Sequence, residues 1–291
     1  MLRCAVLDAC CFCFCAILCG AVPCCNVMCC AAFVLRGTPK IPKVKVSKDY
    51  IRKRPAVLSV EAAAAMPSVT FTAYYAAVRL VGPLRPGSTV LVHSAAGGVG
   101  SMLVQICKLK GWRVCGVVGR GHKVEACKAL GADCVIDKSS TSLWGAAEAF
   151  APDGYDAIFD ANGVATFKDS WNHLTPGGKL IVYGFHTMLP KQGGVLGLFE
   201  YISLAYNFLR TPSFSPMEMV SDNKSVMGFN LSFLFKRRDL FDPMMDDVLR
   251  WIDEGKIVLP MITTYPLADV RHAHAALESG LTVGKLVLLP P

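Results

Sequence analysis

Little of this 291-residue sequence is charged: Asp, Glu, Lys and Arg make up 18% of it against 53% hydrophobic residues, with a mean hydropathy of +0.42. That balance excludes a wholly disordered chain. A dispersed basic face is also missing. The formal net charge of +8 is concentrated in residues 36–54, where Arg36, Lys40, Lys43, Lys45, Lys48, Arg52, Lys53 and Arg54 stand against Asp49 alone. From Pro55 onward the chain is within one charge of neutrality, so it lacks the spread footprint that binds phosphate backbones, and nucleic acid is excluded as a partner. Ten of the fourteen cysteines fall in the first 30 residues, leaving Cys107, Cys115, Cys127 and Cys134 with no C-x-x-C pair among them. In apolar or helical surroundings these four read as small buried hydrophobes in a reducing compartment, which places the body of the protein in the cytoplasm.

The amino terminus has a different character. Ala9 to Leu35 is uncharged over 27 residues, long enough to cross a bilayer, yet Gly20, Pro23 and Asn26 interrupt it and cysteine supplies much of its apolarity. Asp8 sits where the apolar core of a signal peptide should begin. The cysteines are mostly adjacent or alternating rather than set in the spaced pairs that wrap a tetrahedral zinc. Three readings stand: a terminus outside the fold, through an unstructured segment or a mistaken start; a membrane anchor with the basic run on its cytoplasmic flank; and a metal or disulfide segment. Pro39 and Pro42 mark 36–54 as a solvated linker, open to proteolysis.

Beyond residue 60 the pattern alternates. "VEAAAAMPSVTFTAYYAAVRLVG" predicts helix on either side of Pro67, with a new helix opening at the proline. Short β-branched runs at 88–95, 113–118, 134–137, 157–161 and 179–184 predict strands, and helices are expected near 99–110, 123–130, 142–150 and 165–174. Strands separated by single helices imply right-handed crossovers and an α/β doubly wound parallel sheet covered on both faces.

The first strand runs into Ala95, Ala96, Gly97, Gly98, Val99 and Gly100 before "SMLVQICKLKG". A glycine-rich turn there lets backbone approach a pyrophosphate, with the helix amino terminus supplying N–H donors, so the turn points to dinucleotide binding. An NAD site places a carboxylate near the end of the second strand to accept from the ribose 2′-hydroxyl. Here Gly119, Arg120, Gly121, His122 and Lys123 follow instead, with no carboxylate until Glu125, and two cations suit a 2′-phosphate.

The run "LSVEAAAAMPSVTFTAYYAAVRLVGPLRPGSTVLVHSAAGGVGSMLVQICKLKGWRV", followed by "ALGADCVID", "DAIFDANG", "LTPGGKLIVYG", "SVMGFNLSFL" and "GKIVLPMITTYPLADVRHAHAALESGLTVGKLVLLP", resembles the medium-chain dehydrogenase/reductases, in particular their zinc-independent quinone oxidoreductase and VAT-1-like branch, over residues 44–291. The resemblance implies a Rossmann domain, NADPH as cofactor, and hydride transfer to a quinone or an α,β-unsaturated carbonyl. It implies Ala96, Gly97, Gly98 and Val99 as the pyrophosphate turn, and Gly119, Arg120 and Lys123 around the 2′-phosphate. Asn162, Gly163, Tyr183, Gly184 and Phe185 fall by the nicotinamide, Thr72 near its carboxamide, and Phe229 and Asn230 complete the cleft. Lys138 stands where many relatives have a tyrosine. No catalytic residue is assigned. Zinc ligands are not expected, because the Gly-His-Glu stretch and four-cysteine lobe of the zinc-dependent relatives do not appear, and His272 and His274, two apart on a helix, point about 200° apart.

These readings divide the chain into a cysteine-rich segment 1–35, a basic linker and catalytic-domain remnant 36–66, a dinucleotide domain 67–261, and a carboxy-terminal segment 262–291. Family members carry a GroES-like domain ahead of the position of residue 44, so "MITTYPL" and "GKLVLLP" are expected as strands without their usual partners, inviting self-association into a homo-oligomer. Turnover is expected to be feeble without that domain. The alternative function is a noncatalytic nucleotide-binding or membrane-associated interaction protein, anchored through 9–35.

Overall fold

A computed structural model describes residues 53–186, 198–234 and 237–289. The segments 1–35 and 36–52 lie outside the described residues, and with them the anchor, metal, disulfide and linker readings.

The described chain begins with helix α1 (Val60–Tyr74), which continues as a wider π-helical stretch, Tyr75–Val81. A new helix at Pro67 was the sequence expectation; the proline lies instead inside one continuous helix. An internal proline forfeits one backbone hydrogen bond and crowds the preceding turn, at about 3 kcal/mol. Ala64, Ala65 and Met66 before it and Val69, Thr70 and Phe71 after it are all buried, and burying side chains on both sides outweighs that penalty. The π-helical stretch ends at Gly82, whose φ of 71° favours glycine.

Residues Thr72–Asn230 form one compact unit. Its strands are β1 (Thr89–Val92), β2 (Arg113–Val118), β3 (Cys134–Asp137), β4 (Tyr155–Asp160), β5 (Leu174–Val182) and β6 (Ser225–Gly228). They pair in parallel in the order β3-β2-β1-β4-β5-β6. This is the doubly wound order with a switch point between β1 and β4. Four helices, α2 (Gly98–Leu109), α3 (Val124–Ala129), α4 (Leu143–Phe150) and α5 (Phe167–Asn172), connect the first five strands, and α6 (Leu198–Leu209) and α7 (Pro216–Asp222) precede β6. Val90, Leu91 and Val92 are wholly buried, as expected for a strand covered on both faces, and their continuous apolar run is why strand, not helix, was legible there. On one face Leu91, Cys115, Ile136, Ile158 and Leu180 pack with Ala147, Tyr155 and Trp171.

The described residues before Thr72 and from Leu231 onward form a second unit. It contains α8 (Arg238–Asp253), β7 (Ile262–Pro266), α9 (Val270–Glu278) and β8 (Lys285–Leu289). The two carboxy-terminal strands were expected without their usual partners from a GroES-like domain. They pair with each other, in parallel, from Ile262 opposite Lys285 to Pro266 opposite Leu289. Ala64 and Ala65 pack against Ile262, Val287 and Leu289. On α8, Phe241, Met244, Val248, Trp251 and Ile252 are buried at helical spacing, and Phe241 meets Phe71 edge-on. Among the described residues no helix is long and apolar enough to cross a membrane.

Candidate nucleotide site

The carboxyl ends of β1, β2, β4, β5 and β6 bring the sequence-predicted residues from Ala96 to Asn230 to one edge of the sheet, while Thr72 lies on α1. After β1 the chain turns through Ser94, in the left-handed region at φ 53°, and the Gly97 N–H donates to the Ser94 carbonyl at 2.9 Å. Gly97 caps α2 with no side-chain acceptor, and the first turn of that helix carries no acidic residue. Its amino-terminal N–H groups therefore face the turn without a protein anion, an arrangement suited to a pyrophosphate. Gly97, Gly98 and Val99 are partly exposed while Ala96 is buried beneath them. Gly100, absent from the predicted set, is the glycine of this turn that packing most requires: a Cβ there would collide with the Ser94 carbonyl oxygen. The third glycine of the motif thus sets how closely α2 approaches its strand.

At the end of β4, Asp160 is wholly buried and accepts from three groups, with His93 close by. One oxygen takes the Asn162 N–H at 2.8 Å and the Thr166 hydroxyl at 3.0 Å; the other takes the Ser170 hydroxyl at 2.8 Å and lies 3.5 Å from His93 Nε2. Because Ser170 spends its proton on Asp160, His93 Nε2 donates to Ser170 Oγ across 3.1 Å, and His93 Nδ1 is buried without a partner. Burial lowers the pKa of His93; the Asp160 carboxylate opposes that shift, and Lys138 and His186 add to it. Burial thus favours the neutral imidazole, which hydrogen-bonds Ser170 within the network. This network anchors the Ala161–Gly163 turn, in which Gly163 adopts φ 116°, and Ser94 Oγ donates to Asn162 Oδ1 at 3.3 Å, tying the ends of β1 and β4 together. The sequence reading named Asn162 and Gly163 but not the carboxylate beneath them.

The ends of β2 and β3 present a different chemistry. Arg120 is exposed, Lys123 is half-buried, and the pKa of Lys123 is lowered by burial and by the neighbouring Arg120 guanidinium. Register places Val118 opposite Asp137, and the Lys138 N–H donates to the Val118 carbonyl at 3.0 Å, so Lys138 joins the cluster; its Cε lies 3.9 Å from where a Gly119 Cβ would be. Register also brings in a carboxylate that counting along the chain from β2 had missed. Asp137 Oδ2 lies 3.2 Å from the position of a Gly121 Cβ. Its oxygens are engaged by the Ser139 N–H and hydroxyl and the Ser140 hydroxyl, which hold its carboxyl below the usual range.

Beyond β5, the Tyr183 N–H donates to the Asp160 carbonyl at 3.1 Å, with buried Gly184 and half-buried Phe185 following. After β6, the Phe229 N–H donates to the Val182 carbonyl at 3.1 Å, and Asn230 is exposed. Phe229 packs against Tyr75 at 4.9 Å and Tyr183 at 6.4 Å between ring centroids. Thr72 is half-buried on α1, one turn before Tyr75. Tyr75, which the sequence reading passed over, joins Tyr183 and Phe229 in an aromatic wall.

Against known proteins, a family profile described as zinc-binding dehydrogenase matches residues 130–288. The zebrafish (Danio rerio) synaptic vesicle membrane protein VAT-1 homolog is 31% identical over 245 residues, covering 84% of this chain and 49% of that protein. A mycobacterial protein whose structure was solved in complex with NADPH superposes with a TM-score of 0.67 at 30% identity, over 82% of this chain and 67% of that one. The Escherichia coli quinone oxidoreductase complexed with NADPH superposes with a TM-score of 0.66 at 26% identity, over 83% and 69%. The chain spans about half the length of the curated VAT-1 relatives it matches. Despite the profile's description, no group of three or more His, Cys, Asp or Glu among the described residues is placed to hold a metal ion, so these residues do not fit zinc.

Proposed function

The chain belongs to the zinc-binding dehydrogenase family of the medium-chain dehydrogenase/reductases, in their VAT-1-like branch, and on that premise we propose that it is an NADPH-dependent oxidoreductase of the quinone reductase or enoyl reductase type. The observation that carries this reading is the sheet edge itself. An acid-free helix amino terminus behind a glycine turn lies at the switch point, with cations at the ends of β2 and β3 on one side and an aromatic wall after β5 and β6 on the other.

In this reading Gly97, Gly98 and Val99 present backbone N–H groups to the pyrophosphate, over the close packing that Gly100 permits. Arg120, Lys123 and Lys138 take the 2′-phosphate. Asn162 and Gly163, held by Asp160, and Gly184 and Phe185 orient the nicotinamide. Tyr75, Tyr183 and Phe229 exclude water around it. Bound NADPH supplies the hydride, and its acceptor is a quinone or an α,β-unsaturated carbonyl compound. Quinone and enone substrates, a homo-oligomeric state and a cytoplasmic location are parts of the same proposal.

The test is titration of the protein with NADPH and with NADH, followed by nicotinamide fluorescence. Charge-assisted hydrogen bonds to a phosphate contribute roughly 1.5 to 3 kcal/mol, so NADPH should bind about tenfold or more tightly. Equal affinity for the two nucleotides would overturn the phosphate reading.

A further inference from the structure

Cys115 and Cys134 read from the sequence as small buried hydrophobes, because they stand in apolar surroundings and form no C-x-x-C pair. The sheet brings them together. They are direct partners in the parallel β2–β3 ladder, on the same face, Cys115 within the buried cluster and Cys134 packed against it. Neighbouring strands lie about 4.8 Å apart, inside the Cα separations of roughly 4.4 to 6.8 Å that a disulfide spans. Cys127 is not a competing partner. It packs against Gly116, the next residue on β2, whose added Cβ would meet Cys127 Sγ at 2.7 Å, and successive strand residues face opposite sides of the sheet.

The two thiols are also unequal. Cys115 is wholly buried among Leu91, Ala147, Tyr155 and Ile158, whereas Cys134 is half-exposed on the edge strand. A hydrogen bond from Cys115 stabilises the Cys134 thiolate and lowers its pKa, against the opposing effects of burial and of the Asp133 carboxylate. The same bond and burial raise the pKa of Cys115. A reachable thiolate beside a sheltered thiol is the asymmetry of an attacking and a resolving cysteine.

We propose that Cys134 and Cys115 form a thiol–disulfide exchange site that takes low-molecular-weight disulfides and closes to an internal disulfide. The Cys134 thiolate attacks one sulfur of glutathione disulfide. The S–S bond breaks, a mixed disulfide forms on Cys134, and one glutathione leaves with the proton that Cys134 gave up. Cys115 then loses its proton and attacks Cys134 Sγ, expelling the second glutathione, which takes that proton. Two protein thiols lose two electrons together, and one glutathione disulfide is reduced to two glutathiones. The product staples the edge strand β3 to β2.

The test uses the full chain, incubated with glutathione disulfide, quenched by denaturation in excess N-ethylmaleimide near neutral pH and digested with trypsin. Cleavage after Arg113, Arg120, Lys123, Lys128 and Lys138 puts Cys115 in peptide 114–120, Cys127 in 124–128 and Cys134 in 129–138, so the linkage can be read by mass. The expected product joins 114–120 to 129–138 and is lighter by two hydrogens than the pair of free-thiol peptides. Recovery of both cysteines as alkylated thiols, a lasting glutathione adduct on Cys134 beside alkylated Cys115, or linkage of either to another cysteine overturns the proposal. The variant Cys115→Ser should instead accumulate the glutathione adduct at Cys134. A glutathione adduct on Cys115 in folded Cys134→Ser overturns the order of attack.

Discussion

The ends of β1 and β4 carry a buried polar network, and the ends of β2 and β3, on the same sheet edge, carry cations, Arg120 and Lys138 exposed and Lys123 half-buried. Around Asp160 the protein supplies its own donors: Asn162 N–H, Thr166 and Ser170 converge on one carboxylate that is shut off from water. Around Gly119, Arg120, Lys123 and Lys138 gather with Asp137 nearby, whose oxygens are already taken by Ser139 and Ser140. The first arrangement is finished by folding. The second keeps Arg120 and Lys138 exposed at the surface. In the proposed function this divides the work: the turn that orients the reacting ring is set in advance, where misplacement by an ångström is most damaging, while selectivity between nucleotides is left to exposed charge, which water and salt weaken.

The largest expected effect breaks the buried side. Asp160→Ala leaves two hydroxyls and one backbone N–H without their shared acceptor, and removing one partner from such a buried site destabilises by about 3 to 5 kcal/mol. Urea denaturation should show a lower midpoint with an unchanged slope. Asp160→Asn, which keeps an acceptor oxygen for Asn162 and Thr166, should lose about half as much. A loss below about 1 kcal/mol for the alanine variant would mean that the network does not set the turn.

On the cationic side, stability should hardly change and affinity should. Lys123→Ala removes a charge-assisted contact worth about 1.5 to 3 kcal/mol to a bound 2′-phosphate, erasing most of a tenfold preference for NADPH while leaving NADH binding as it was. If both nucleotides weaken together, the lysine supports the site's shape rather than reading the phosphate. Asp137→Asn should act in the opposite direction and more weakly, sharpening the NADPH preference by a few-fold, because an exposed carboxylate repels the phosphate through a high dielectric. Both effects are read in the same fluorescence titration.

How much of this was legible in the sequence depended on whether the signal was local. The strands at 113–118 and 134–137 coincide with the observed ones because each is a short β-branched or cysteine-containing run bounded by turn residues, and the Gly97–Gly100 turn announces itself by composition. Asp137 and the Cys115–Cys134 pair became functional candidates only when register laid β3 beside β2, which no local pattern encodes. Asp160 was hidden for a related reason. In "AIFDA" it looks like the polar end of a strand, and its donors come from positions 162, 166 and 170, brought round by a turn and a helix. Pro67 misled because local propensity was outweighed by burial on both sides of it. The β7–β8 pairing escaped notice because two isolated apolar runs carry no mark of their partner.

The smallest effect supplies the control for the comparison: a carboxylate that is as well bonded as Asp160 but lies in water. Asp133 accepts from Lys108 Nζ at 2.8 Å and from the Val114 N–H at 2.7 Å, yet its side chain is 35% exposed. Burial alone would raise its pKa; the Lys108 and Val114 hydrogen bonds outweigh that and hold it below the usual value of 3.8. A carboxyl whose pKa is depressed by folding stabilises the folded state above its unfolded pKa, and the contribution disappears as pH falls through the lower, folded value. Asp133→Asn should therefore reduce stability at pH 7 by about 0.5 to 1 kcal/mol, the scale of a solvent-screened pair. The gap to the unmutated protein should stay constant down to about pH 5 and close below about pH 4. Paired urea titrations at several pH values measure that gap directly. If Asp133→Asn were as damaging at pH 7 as Asp160→Ala, hydrogen-bond number rather than exclusion of water would govern the worth of a carboxylate in this sheet, and the contrast between its two ends would lose its physical basis.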